Sequence, residues 1–154
     1  MLKALFTLMI VISTMSVNAQ GWIYETGLDP FTDEDISRAY LVSDEECYIL
    51  FTCGALIVRT DGEIAILFNT QITERWEFNI QIRFDSDKAQ WMRVAASDEQ
   101  DAVFITKGNR DRFVRQLKTK ETLKVRIYHG TEEHILTFTL RGSNLAFQII
   151  TGGN

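Results

Sequence analysis

Residues 76–84 read Trp76-Glu77-Phe78-Asn79-Ile80-Gln81-Ile82-Arg83-Phe84, alternating apolar and polar without a break. In extended backbone successive side chains project to opposite faces, so this stretch is expected to bury Trp76, Phe78, Ile80, Ile82 and Phe84 and to wet the other four. One wet face marks an antiparallel sheet, because parallel strands are covered on both sides and read as continuous apolar runs. The same period recurs on either side. Ala39 with Leu41, Leu56 with Val58, and Ile64, Ile66 and Phe68 alternate with more polar neighbours. Asp61-Gly62 supplies a tight turn between the last two of these runs. Further strand candidates are Trp91 to Ala95, Ala102 to Thr106, Leu123 to Ile127 and Leu136 to Leu140, with a last apolar segment holding Phe147, Ile149 and Ile150. Eight or nine short antiparallel strands predict an all-β domain, either a β-sandwich or a curled barrel.

One segment leaves this period. Phe113, Val114 and Leu117 recur at helical spacing after Asn109, a potential cap, and predict a short surface helix over 110–118. Its other side carries Arg112, Arg115 and Lys118. Lys107, Arg110 and Lys120 extend the basic run, with Asp111 the single acid inside it. Such a surface suits electrostatic docking of an acidic partner, although covering one end of the sheet also accounts for the helix.

Ahead of the alternating region lies a leader pattern. Lys3 precedes the apolar run Leu5 to Ile12, and Val17-Asn18-Ala19 forms a small-residue cleavage site. Residues 1–19 are therefore expected to be a signal peptide, with a turn-rich N-terminal segment at 20–35 and one β-rich domain at 36–154. The apolar run falls short of the roughly 20 residues a spanning helix needs, which predicts release rather than a stable membrane anchor. The expected location is periplasmic or secreted. Removing 19 of 154 residues leaves 135, enough for one self-sufficient core. The whole chain has 16 basic against 21 acidic side chains, a net charge of -5. That sign repels phosphate backbones and argues against a nucleic acid partner.

An oxidising compartment predicts that Cys47 and Cys53 are bridged. The pairing requires the intervening residues to loop back, since in extended backbone the Cα atoms would stand about 20 Å apart. Asp29, Asp33 and Asp35 could gather around calcium, but the glycine and terminal glutamate of a calcium loop are missing. His129 and His134 flank Gly130-Thr131-Glu132-Glu133 and would face each other if that stretch closed a hairpin. With Glu132 or Glu133 they are the chain's candidate metal ligands, but a fixed third ligand is absent. No nucleophile elbow, phosphate loop, dinucleotide fingerprint or zincin motif is present. The reading that follows is non-enzymatic, with no cofactor and no assigned metal site. Trp22, Tyr24 and Trp91, with Phe31, could form an aromatic contact patch if exposed, and Arg59, Arg83, Arg93 and Arg126 could line one polar sheet face opposed by Glu63 and Glu77.

Several short motifs resemble the VasI family, which is associated with bacterial type VI secretion. They are Asp29-Pro30-Phe31-Thr32-Asp33, Leu56-Ile57-Val58-Arg59, Ile82-Arg83-Phe84-Asp85, Trp91, Ala96-Ser97, Phe113-Val114-Arg115-Gln116-Leu117, Thr137-Phe138-Thr139-Leu140-Arg141-Gly142 and Ala146. Thr60 stands where that family commonly has a cysteine, so the resemblance assigns no disulfide here. It implies an exported accessory protein whose partner is an envelope or secretion-system protein, and it supplies no catalytic residue. Arg112, Arg115 and Lys118, with Trp22, Tyr24 and Trp91, are the candidate partner-binding residues. Homo-oligomerisation is left open. Two alternatives remain: an inhibitor of an exported cell-wall hydrolase, probing with Asp98-Glu99-Gln100-Asp101, and a metal-dependent enzyme using His129 and His134.

Overall fold

The computed structural model describes residues 21–28, 32, 34–44, 54–68, 72, 76–129 and 131–152. Among the described residues there are nine strands: β1 (Trp22–Glu25), β2 (Arg38–Val42), β3 (Ala55–Arg59), β4 (Ile64–Leu67), β5 (Glu77–Phe84), β6 (Gln90–Ala96), β7 (Ala102–Ile105), β8 (Thr122–His129) and β9 (Glu132–Thr139). Helix α1 (Lys107–Thr119) lies between β7 and β8, and α2 (Ser143–Thr151) follows β9. The strands form one sheet in the order β1-β2-β3-β4-β7-β6-β5-β8-β9, with every pair antiparallel.

The alternation that decides the fold sorts the faces. Ile80, Ile82 and Phe84 are buried, and Phe78 packs against the same core. They meet Met92 and Val94 of β6, Leu123, Val125 and Ile127 of β8, and Leu136 and Phe138 of β9 in one apolar cluster. Trp76 departs from the expectation. It stands one position before β5 and is 83% exposed, because alternation orients a side chain only where the ladder continues.

The strands, expected as a sandwich or a curled barrel, form one continuous sheet that curls, among the described residues, without a ladder between its first and last strands. The curl is held by other means. Asp44, just beyond β2, donates its amide to Thr137 O at 2.7 Å, and its carboxylate accepts from Thr139 N at 3.3 Å and Thr139 Oγ1 at 2.9 Å. Gly54, which leads into β3, lies directly against the buried Leu136 side chain. Helix α2 packs on β2, β3 and α1, filling the concave side.

The single surface helix is corrected to two helices. Phe147, Ile149 and Ile150, expected in a strand, lie on α2, where Ala146, Phe147 and Ile150 are buried and Leu145 and Ile149 are exposed. Gly142 precedes α2 at φ 86, a left-handed conformation that glycine adopts without a Cβ clash. Apolar residues at 146, 147 and 150 fit a helical stripe better than alternation, but the run is short enough for either period to claim it.

Trp22–Glu25, expected within a turn-rich segment, is a paired strand. Trp22 opposes Leu41 and Tyr24 opposes Ala39, and all four are buried. Trp22 and Tyr24 are therefore core residues, which corrects their candidacy as contact residues. The hairpin at Asp61-Gly62 is present, with Gly62 at φ 76.

The expected disulfide is also corrected, since no disulfide bond is present among the described residues. Cys47 and Cys53 lie outside the described residues, as do Phe31 and the leader at 1–19. Among the described residues no helix is long and apolar enough to cross a membrane.

Candidate functional site

Two cationic surfaces stand out. Helix α1 begins at Lys107, earlier than the sequence suggested, with Thr106 at its N-cap. Phe113 and Leu117, one turn apart, drop into the core, where Phe113 meets Phe84 edge-on with ring centroids 5.6 Å apart. That anchoring turns the rest of the helix outward. Arg112, Arg115 and Lys118 are exposed, as expected. Arg112 donates to the Gln90 side chain, and Lys118 Nζ sits 5.3 Å from the centre of the Phe147 ring. None of the ion pairs among the described residues involves Lys107, Arg110, Arg112, Arg115 or Lys118.

Lys120 does not extend this surface. It turns away to Asp87 at 2.7 Å and Asp85 at 3.8 Å, and the hydrogen bond to Asp87 raises its pKa. Asp85 is held at φ 45, a left-handed conformation that aspartate tolerates better than most residues. Its Oδ1 accepts from Thr122 N at 2.8 Å and Glu121 N at 2.9 Å. The Thr122 amide is the principal cause of its lowered pKa, with Glu121 and Lys120 adding to it against desolvation. A depressed carboxylate contributes stability that is complete above the ordinary aspartate value of about 3.9 and is lost as pH falls through the folded value. Asp85→Asn should thus be less stable than the wild type near neutrality, with the gap closing on acidification. Denaturation midpoints measured against pH test this, and a gap that persisted undiminished into strong acid would refute it.

The second surface is the outer face of β5, β6, β8 and β9. Registers set Trp91, Gln81, Arg126 and Ile135 in one row across four strands, and Arg83 beside Lys124 in the next. Trp91 is 60% exposed, and Tyr128 and Ile135 are also open to solvent. Trp91 and Gln90 are consecutive on β6 and so face opposite sides. This separates Trp91 from Arg112, which binds Gln90, and the expected candidates divide between two surfaces.

The arginines expected on a polar sheet face are divided by their partners. Arg93 pairs with Glu77 at 2.7 Å and Arg59 with Glu63 at 2.9 Å, both as the sequence suggested. Arg126 reaches Glu133 at 3.5 Å and Gln81 Oε1 at 3.2 Å. Arg83 and Lys124 enter no ion pair among the described residues. Sequence reasoning missed Lys124, whose significance comes only from the strand opposite it.

His129 pairs with Glu132 in the ladder and His134 with Ile127, so the two histidines are not cross-strand partners. The ladder runs on to His129 and Glu132, leaving a connection two residues shorter than facing imidazoles would require. No group of three His, Cys, Asp or Glu able to hold a metal occurs among the described residues. The acidic stretch 98–101 forms the β6–β7 turn. Ser97 Oγ donates to Asp101 Oδ1 at 3.0 Å and accepts from Ala102 N at 3.1 Å, and the exposed Trp76 lies beside Asp98.

No family model matches the chain, and no curated protein matches it. Among solved structures, it is similar to the crystal structure of invasion associated protein b from Bartonella henselae. The TM-score is 0.59 at 14% sequence identity, covering 86% of this chain and 92% of that one. At that identity the similarity establishes a shared fold.

Proposed function

We infer that this chain is an exported, non-catalytic accessory domain of the bacterial envelope that docks an acidic partner protein on the exposed side of α1. The observation carrying this reading is that Lys107, Arg112, Arg115 and Lys118 are exposed on α1 and enter no ion pair among the described residues, on a protein of net charge -5. Cations left unneutralised beside abundant carboxylates are suited to steering an incoming acidic surface. Neighbouring α2 exposes Leu145 and Ile149, one turn apart, as apolar area that could supply affinity. The leader pattern at 1–19, the VasI resemblance and the fold shared with an invasion associated protein support an accessory role outside the cytoplasm. A secretion-system protein is the partner that the resemblance favours.

The test is to isolate the partner from envelope extract, identify it, and measure its association with wild type and with the Arg112→Glu, Arg115→Glu, Lys118→Glu triple variant. Association of the variant should slow by roughly tenfold or more at low salt and lose most of its salt dependence. Identical rates and salt slopes would remove α1 as the docking face. A second reading, inhibition of an exported cell-wall hydrolase, has its own support in the braced acidic turn at 98–101 beside exposed Trp76. Dose-dependent protection in a wall-lysis assay, abolished by neutralising Asp98 and Glu99 and unaffected by the α1 reversal, would favour it.

A further inference from the structure

Arg83 on β5 and Lys124 on β8 are direct cross-strand partners. Like charges directly opposite each other in an antiparallel pair destabilise the ladder. The sheet opposes like charges at one other place, Arg38 on β2 against Arg59 on β3, and there each cation has its own acid: Arg38 meets Glu25 at 2.6 Å and Arg59 meets Glu63 at 2.9 Å. At Arg83 and Lys124 no such acid is found among the described residues, and a third cation stands beside them. Arg126 lies two residues along β8 on the same face, its guanidinium oriented by Gln81, Tyr128 Oη at 3.5 Å and Glu133.

These side chains surround a cleft of about 180 Å³ whose lining includes Gln81, Arg83, Lys124, Arg126 and Ile135 and contains no carboxylate. The volume is below the roughly 300 Å³ at which sites for drug-sized ligands begin, so it suits one small charged group with a short apolar stem. A planar guanidinium and an ammonium converging from neighbouring strands match the geometry of an oxyanion.

We propose that this cleft is an oxyanion-binding site, in which Arg83, Lys124 and Arg126 receive a phosphate or carboxylate group and Ile135 contacts the adjoining carbon. The bound oxyanion neutralises the opposed charges that no residue of the sheet neutralises. This site lies on the outer face of the sheet and is independent of α1, so it stands or falls separately from the docking surface proposed above.

The test is an amide NMR titration of the full chain with inorganic phosphate and, separately, with succinate, at constant ionic strength maintained with sodium chloride. Saturable shifts centred on Gln81, Arg83, Lys124 and Arg126 are expected from at least one probe. Response to phosphate alone assigns the natural group as a phosphate, and response to succinate assigns it as a carboxylate. Arg83→Gln with Lys124→Gln should weaken binding by about tenfold or more, through loss of two charge-assisted contacts. The same variant should melt no lower than the wild type without ligand, because it removes a repulsion and no side-chain hydrogen bond or ion pair found among the described residues. Arg112→Gln with Arg115→Gln should bind as the wild type does. The proposal is overturned by lack of saturation with both probes, by equal binding in the Arg83/Lys124 variant, or by an equal loss in the α1 control.

Discussion

Phe113→Ala is expected to lower stability by about 3–5 kcal/mol, the range for deleting a fully buried phenyl ring from a core that cannot collapse around the space. Phe113 has no exposed surface, and its ring meets Phe84, also without exposed surface, at an interplanar angle of 63°. The loss combines transfer of the ring, an unfilled cavity and the edge-to-face contact. For a domain of this size it corresponds to a fall in melting temperature on the order of 10–20 °C. Denaturant unfolding followed by circular dichroism would measure it. A change below about 1 kcal/mol would mean that α1 is not seated through Phe113, and the outward orientation of Arg112, Arg115 and Lys118 would lose its structural basis. The same reasoning makes Phe113→Ala a second route to the docking face, since loosening the helix disperses its charges.

Gly54→Val should cost roughly 1–3 kcal/mol, for a different reason. A Cβ at position 54 would lie 2.6 Å from Leu136 Cδ2 and 3.0 Å from Leu136 Cγ. Leu136 is buried, so it can withdraw only by displacing its own neighbours. The close approach exists because the curl of the sheet brings β9 to the β2–β3 connection. In a flat sheet of the same strand order these residues would be several strands apart and the substitution would be nearly silent. Leu136→Ala should relieve part of the cost, so the double variant should be less destabilised than the sum of the single changes. Simple additivity in that cycle would refute the contact.

The all-antiparallel class was legible from Glu77 to Phe84 alone, and the β3–β4 hairpin from Asp61-Gly62. The apolar stripe Phe113, Val114, Leu117 gave the helix and its basic outward side. Trp22, Tyr24 and Trp91 were contact candidates only on condition of exposure, which Trp91 meets and Trp22 and Tyr24 do not, and a short strand at the chain's beginning has too few residues to display the period that would have separated them. Trp76 was misjudged in the opposite direction, as alternation was extended one residue beyond the ladder. The histidine pair failed on register: shortening a hairpin connection by two residues changes which side chain stands opposite which.

From its sequence this protein takes the faces of its strands and the stripe of α1, since both follow from local backbone periods of two and 3.6 residues acting on the order of apolar side chains. Tertiary structure alone decides which strands are neighbours, and with them the isolation of Arg83 and Lys124, the role of Asp44 as a clasp on β9 and the need for glycine at 54. Those properties depend on residues distant in the chain meeting across a curled sheet, a relation no local pattern contains.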